Sequence, residues 1–256
     1  MGFYRHTIPA LLCAFMLCSL SPVRAQSYQQ YMKGPKRIEI GYSFCMTAAT
    51  YTYHATTFDE STISLIDTTY REKIRTKGGF GATVGTYFPV APIGEKGSLA
   101  ISLSYLYNAL LWEGTSFSYS TGSEGTTSSG SGTIEMALPV GLDYKFGCDA
   151  LLDKSKRFCY SVGVGAYPSL TATVYKDEAG AGFHVLPYLK GEVGIFAGIC
   201  MKVRATYAFG NIKYISYNDS YGNVQSETSL KGKSALTLSL ILMPFSWKWE
   251  KQDWWR

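Results

Sequence analysis

From Ile134 to Phe146 the sequence alternates without a break, and few folds tolerate that. Ile134, Met136, Leu138, Val140, Leu142, Tyr144 and Phe146 take every second position, with Thr133, Glu135, Ala137, Pro139, Gly141, Asp143 and Lys145 between them. Side chains two apart share a face only in an extended strand, whereas a helix would scatter these apolar groups around its circumference. The segment therefore reads as a strand with one bulky apolar face and one small or polar face.

The pattern recurs along the chain. Ile38 to Met46, Phe80 to Phe88, Leu99 to Tyr107, Phe158 to Val164, His184 to Phe196, Ile199 to Phe209 and Leu236 to Met243 show the same period of two, most loosely in His184 to Phe196. Composition says what the two faces meet. Apolar residues make up 46% of the chain and aromatic ones 15%, yet its mean hydropathy is close to zero. Alternation between a lipid-facing and an interior-facing row gives that balance. Beyond the amino-terminal segment, no stretch is long enough for a membrane helix, so a chain of this kind crosses a bilayer only as a closed barrel. The expected fold is all-β, an eight-stranded antiparallel up-and-down transmembrane β-barrel.

The connections carry an independent signal, because such barrels have short periplasmic turns and longer external loops. Thr47 to Arg75, Gly114 to Gly132 and Ser216 to Lys233 read as long external loops, with a moderate one at Tyr175 to Gly182. Pro89 to Gly97, Cys148 to Lys156 and Ala197-Gly198 read as the short turns between them. Gly114 to Gly132, rich in Ser, Gly and Thr, buries little and reads as mobile.

The start has the form of an export signal. Arg5 and His6 precede an apolar run from Ile8 to Leu20, and Val23-Arg24-Ala25 supplies a small-x-small cleavage site. Three segments follow: a signal peptide over 1–25, a barrel over 26–245, and an aromatic tail over 246–256 whose Trp247, Trp249, Trp254 and Trp255 read as an interfacial anchor in preference to a disordered end. Loss of Arg5 and Arg24 lowers the 24 basic residues to 22, against 19 acidic ones. That residual charge is spread along the chain, so nucleic acid is not an expected partner.

With its alternating strands, a cleaved signal and a Leu-rich final strand reaching Phe245, the chain resembles the small bacterial outer-membrane β-barrel proteins of the OmpA/OmpX/OmpW-like type. Tyr188-Leu189-Lys190-Gly191-Glu192-Val193-Gly194-Ile195, followed by Tyr207-Ala208-Phe209-Gly210, resembles the penultimate hairpin of Bacteroidetes-like barrels. The likeness departs at the end, since these barrels usually stop at the last strand's aromatic residue, whereas here Ser246 to Arg256 follows. The resemblance implies a cell-surface protein of the outer membrane, with outer-membrane lipids and lipopolysaccharide as partners and an extracellular ligand met through its loops.

Arg37, Glu39, Glu135, Asp143, Lys145, Lys190, Glu192, Lys202 and Arg204 all have the parity of the non-lipid face. An eight-stranded barrel has room inside for little but side chains, and unpaired charges there would be costly. A neutralising salt-bridge network that fills the lumen is therefore expected in preference to an ion path. The resemblance also includes barrels that acylate or deacylate lipid A with a histidine-containing site, which makes His54, with Asp59, Glu60 and Ser61 nearby, and His184 the residues to weigh. A hydrolase needs a nucleophile and a carboxylate converging on its histidine, and sequence proximity alone does not supply that. The expected role is non-enzymatic, with a lipid-modifying enzyme and a narrow solute channel as alternatives, and with no cofactor. Cys45, Cys148, Cys159 and Cys200 remain after cleavage, and none has zinc-like spacing. Cys148 and Cys159 flank one turn and either cross-link it or stay free. Arginine at Leu138 or Val140 is expected to cost ~2–4 kcal/mol in the lipid-facing row, whereas Gly141→Ser on the other face is expected to be mild.

Overall fold

The computed structural model describes residues 35–59, 64–113, 131–176, 178–221 and 224–249. The segment read as an export signal, nearly all of the Gly114 to Gly132 segment, Glu60, Ser61, Trp254 and Trp255 lie outside the described residues.

Nine strand segments follow one another: β1 (Glu39–Asp59), β2 (Ser64–Ile93), β3 (Gly97–Trp112), β4 (Gly132–Ala137), β5 (Val140–Gly147), β6 (Phe158–Tyr175), β7 (Glu178–Phe196), β8 (Cys200–Tyr221) and β9 (Val224–Met243). One helical turn, α1 (Cys148–Leu151), joins β5 to β6. Every pairing is antiparallel, and β1 pairs with both β2 and β9, so the sheet closes on itself. β4 and β5 are two halves of one stave, since both pair with β3 and with β6. The break falls at Leu138-Pro139, where proline has no N–H to give. Pairing continues across it, with Leu138 N–H donating to Pro168 O at 2.9 Å and Ser104 N–H to Pro139 O at 3.0 Å. The ring thus has eight staves, as the alternation predicts.

The apolar rows point outward. Ile40, Tyr42, Phe44 and Met46 on β1, Phe80, Val84 and Phe88 on β2, and Leu238, Leu240 and Leu242 on β9 are all exposed. Leu138 and Val140 are exposed in the same row, at 45% and 41%. From Ile134 to Phe146 the outward row covers roughly 40 Å of strand, or about 30 Å along a tilted barrel axis, enough for the apolar band of a membrane. The polar parity points inward and is buried.

Gly141 departs from expectation. A Cβ there would lie 2.1 Å from the Tyr188 hydroxyl and 2.8 Å from Val164 O, so a serine at 141 is not mild. The lumen is packed against that backbone, and the missing side chain makes the space for Tyr188.

The external connections are also not the loops expected. Most of Thr47 to Arg75 is a two-stranded continuation of β1 and β2, paired from Ala48↔Arg75 to Asp59↔Ser64. Ser216 to Lys233 is likewise mostly β8 and β9, paired out to Tyr221↔Val224, and Tyr175 pairs directly with Glu178. Above the membrane the outward face of these hairpins meets water and carries mainly threonine and charge, whereas Tyr51, Ile74, Ile215 and Leu230 on the inner face are buried. At the other end the connections are short, with positive φ at Gly94 (65°) and Gly198 (83°) in the turns after β2 and β7.

Candidate functional site

The interior has three levels, and the nine charges singled out from sequence occupy the lower two. Nearest the short-turn end lies an ionic layer. Lys202 and Arg204 on β8 both donate to Glu39 on β1, and Arg204 also pairs with Glu192 on β7. Lys145 on β5 lies 3.4 Å from Glu192 and 3.9 Å from Glu39. Lys190 reaches Asp143 at 2.6 Å and the Ser102 hydroxyl at 2.9 Å. All of these side chains are buried, as is Arg37 just before β1. Glu135 stands apart, accepting from Asn108 Nδ2 at 3.0 Å, while Ser43 donates to Asn108 Oδ1 at 2.8 Å.

Sequence reasoning missed Asp149. It lies in the β5–β6 connection, which suggests exposure, but α1 folds into the barrel mouth and buries it. There it accepts from Lys145 at 2.9 Å and Lys202 at 3.0 Å, while its main-chain carbonyl accepts from Tyr87 at 2.7 Å. The Tyr87 ring lies 4.1 Å below the Lys145 ammonium. In these ion pairs Lys145, Lys190, Lys202 and Arg204 face Glu39, Asp143, Asp149 and Glu192, four charges against four. The space between Lys190, Arg204, Tyr188 and Pro139 amounts to about 10 Å³, at the lower limit for one water.

Higher up, the filling is aromatic, which the polar parity did not suggest. Tyr167, Trp112, Tyr214, Leu106 and Leu110 are buried there, and Trp112 Nε1 donates to Thr133 at 3.0 Å. Its ring meets Tyr214 edge-on at 5.2 Å.

The two histidines lie apart, His54 on the β1–β2 hairpin and His184 on β7. His54 neighbours Thr69, Nδ1 to Oγ1 at 2.9 Å, and Asp67 at 3.7 Å, and Asp59 pairs with Ser64 at the far end of the hairpin. His54 and Thr69 are cross-strand partners, and the surrounding main chain is engaged in the β1–β2 ladder. His184 is buried in the lumen, 3.4 Å from the Thr171 hydroxyl.

A different cluster stands on the outer surface. Above the apolar belt, β1 presents the small side chains of Ala48, Thr50 and Thr52 outward. Arg75, Lys73 and Arg71 of β2 flank them in register on one side, and on the other stand Lys231 of β9, opposite Thr50, and Lys233 at the β1–β9 register shift. They line a groove of about 750 Å³, with Glu227 as the acid at its upper end. The groove follows from the hairpin extensions, which place on adjacent strands basic residues far apart in sequence.

Of the tail, Trp247 is exposed beside Phe245, as an interfacial anchor requires. Trp249 departs from that reading. It turns inward, stacks on Phe196 at 5.7 Å and donates from Nε1 to Lys36 O at 3.1 Å, closing the floor of the barrel.

A closed antiparallel ring with an apolar belt outside and a polar, filled interior is the architecture of a small outer-membrane β-barrel, and this chain has it. No protein-family model matches the chain, and no curated protein matches it in sequence. Among solved structures, neisserial surface protein A is 11% identical with a TM-score of 0.30, covering 75% of this chain and 96% of its own. Ail of Yersinia pestis, solved with the heparin analogue sucrose octasulfate, is 8% identical with a TM-score of 0.31, covering 77% and 98%. A FadL homologue of Pseudomonas aeruginosa is 5% identical with a TM-score of 0.24, covering 82% and 90%. These are distant likenesses.

Proposed function

We propose that the chain is a non-enzymatic outer-membrane protein. Its barrel is a plugged scaffold, and its working surface is the extracellular sheet with the basic groove at the membrane border. The groove carries the reading. Arg71, Lys73, Arg75, Lys231 and Lys233 surround a floor of small side chains immediately above the lipid-facing rows. That is the level at which the phosphates of lipopolysaccharide lie, and guanidinium groups bind phosphate through paired hydrogen bonds. The hairpins above are left to meet an extracellular ligand. Against the channel alternative stand the balanced ion pairs and the 10 Å³ gap beside Arg204.

The test compares binding of bisphosphorylated and dephosphorylated lipid A to the purified barrel in neutral detergent. The phosphorylated form should bind more tightly, by a margin that shrinks as salt rises. Arg71→Ala with Lys231→Ala should remove that margin and leave heat-modifiable folding intact. Equal binding of both lipids, or an unaltered margin in the double variant, would overturn the reading.

A further inference from the structure

Three of the four cysteines that follow the export signal meet at one point. Cys148 opens α1, Cys159 lies near the start of β6 and Cys200 opens β8. Their sulfurs lie within 4.8 Å of one another. All three are free thiols and all are buried. Cys45, also free and buried, is not part of this group and behaves as an ordinary small core residue.

Two glycines make the convergence possible. Gly147 has φ 88°, and a Cβ there would meet Phe158 O at 2.1 Å, so only glycine lets the chain turn sharply enough to bring Cys148 beside Cys159. Gly194 lies opposite Cys159 on β7, and a Cβ there would stand 2.8 Å from Cys159 Sγ. The sulfur leans into the space the missing side chain leaves. Cys200 is fixed from below, its N–H donating to Ser246 Oγ at 2.7 Å while that hydroxyl donates to Met243 O at 2.7 Å.

The surroundings are apolar and soft. Tyr87, Ala100, Leu152, Met243 and Trp249 pack around the thiols, and Met243 is the cross-strand partner of Cys200. The nearby carboxylates of Glu39, Asp149 and Glu192 also lie close together, but lysine and arginine already neutralise them. The thiols therefore present an all-sulfur donor set. A metal about 2.3 Å from each of three sulfurs needs them roughly 4 Å apart, which shifts of a few tenths of an ångström would supply. A disulfide would take two of the three and leave an odd buried thiol.

We propose that Cys148, Cys159 and Cys200 form a binding site for a soft, closed-shell cation of the Zn(II) or Cu(I) class, set in the floor of the barrel. Soft thiolate sets select such ions over Mg(II) or Ca(II). Each sulfur that ligates gives up its proton to solvent, so binding strengthens as pH rises. The site ties α1, β6 and β8 together at the short-turn end, independently of the groove outside.

Cd(II) is the probe, added to the reduced protein freed of residues 1–25 and folded in detergent. One equivalent should bind, with a sulfur-to-metal charge-transfer absorption, and should protect three of the four thiols from alkylation on denaturation. Cys148→Ser, Cys159→Ser and Cys200→Ser should each weaken binding by roughly 100-fold or more, while Cys45→Ser leaves it unchanged. Protection is read on the wild-type protein, so it stands even where a serine variant fails to fold. No charge-transfer band in folded wild-type protein, protection that includes Cys45, or a Cys148–Cys159 disulfide in protein alkylated directly from membranes would each overturn the proposal.

Discussion

Lys176 Nζ lies 2.8 Å from the Glu72 carboxylate, joining the β6–β7 turn to the β1–β2 hairpin across the outer mouth of the barrel. The same ammonium stands 5.0 Å from the ring centre of Tyr51, 5.3 Å from Tyr70 and 5.4 Å from Tyr175, so one cation holds an aromatic cap together. Its hydrogen bond holds the Glu72 carboxyl below its usual 4.5, and the Glu72 partner raises the Lys176 ammonium above 10.5. The sign follows for each. The Glu72 contribution is complete above its unfolded value and is lost as pH falls through the lowered one. The Lys176 contribution is complete below 10.5 and is lost as pH rises through the raised value. Both groups are partly exposed, so solvent limits the gain to that of a surface pair, ~0.2–1 kcal/mol.

Lys176→Met should therefore return the Glu72 titration toward 4.5. Carbon-detected NMR of the side-chain carboxyl reads this directly. A Glu72 midpoint unmoved by the substitution would show that the pair does not form in solution.

Leu138→Arg and Val140→Arg each place a charge in the lipid-facing row and should cost ~2–4 kcal/mol in urea unfolding from bilayers. Gly141→Ser should also destabilise, because of the Tyr188 hydroxyl 2.1 Å from the added carbon. Tyr188→Phe removes that oxygen and should recover part of the loss, though not the crowding against Val164 O. Full tolerance of Gly141→Ser in an otherwise wild-type barrel would mean that the lumen packs differently.

What the sequence revealed and concealed has one physical cause. Period-two alternation is visible only where the two faces of a strand meet different solvents. Ile134 to Phe146 meets lipid on one side and a polar lumen on the other, and it is legible. Thr50, Thr52 and His54 continue the same strand as Ile40, but water lies outside them, so they read as loop. In the upper lumen Trp112 and Tyr214 have the chemistry of lipid-facing residues, and nothing local marks them as internal. Asp149 and the junction of Cys200 with Cys148 depend on contacts between distant segments, which no window of sequence contains. The basic groove was hidden for the same reason, because it exists only once β1 is flanked by β2 and β9.

The ionic layer predicts a marked asymmetry between breaking a pair and removing it. Lys190 and Asp143 are both buried and lie 2.6 Å apart. Asp143→Leu alone leaves an ammonium with Glu192 at 3.8 Å as its remaining carboxylate, and Lys190→Leu alone strands a carboxylate. Each should cost about 3–5 kcal/mol, since the surviving charge stays out of water without its close partner. The double leucine variant removes both desolvation penalties with the attraction and should be less destabilised than either single variant. Urea unfolding of the four proteins in one lipid measures the cycle, and planar-bilayer recording of the same proteins adds a second reading. The wild type should show no open-channel steps, because the interior charges are matched to each other and not to passing ions. Additive single losses in the double variant would mean that the two charges do not interact, and steady conductance in the wild type would mean that the lumen is not plugged.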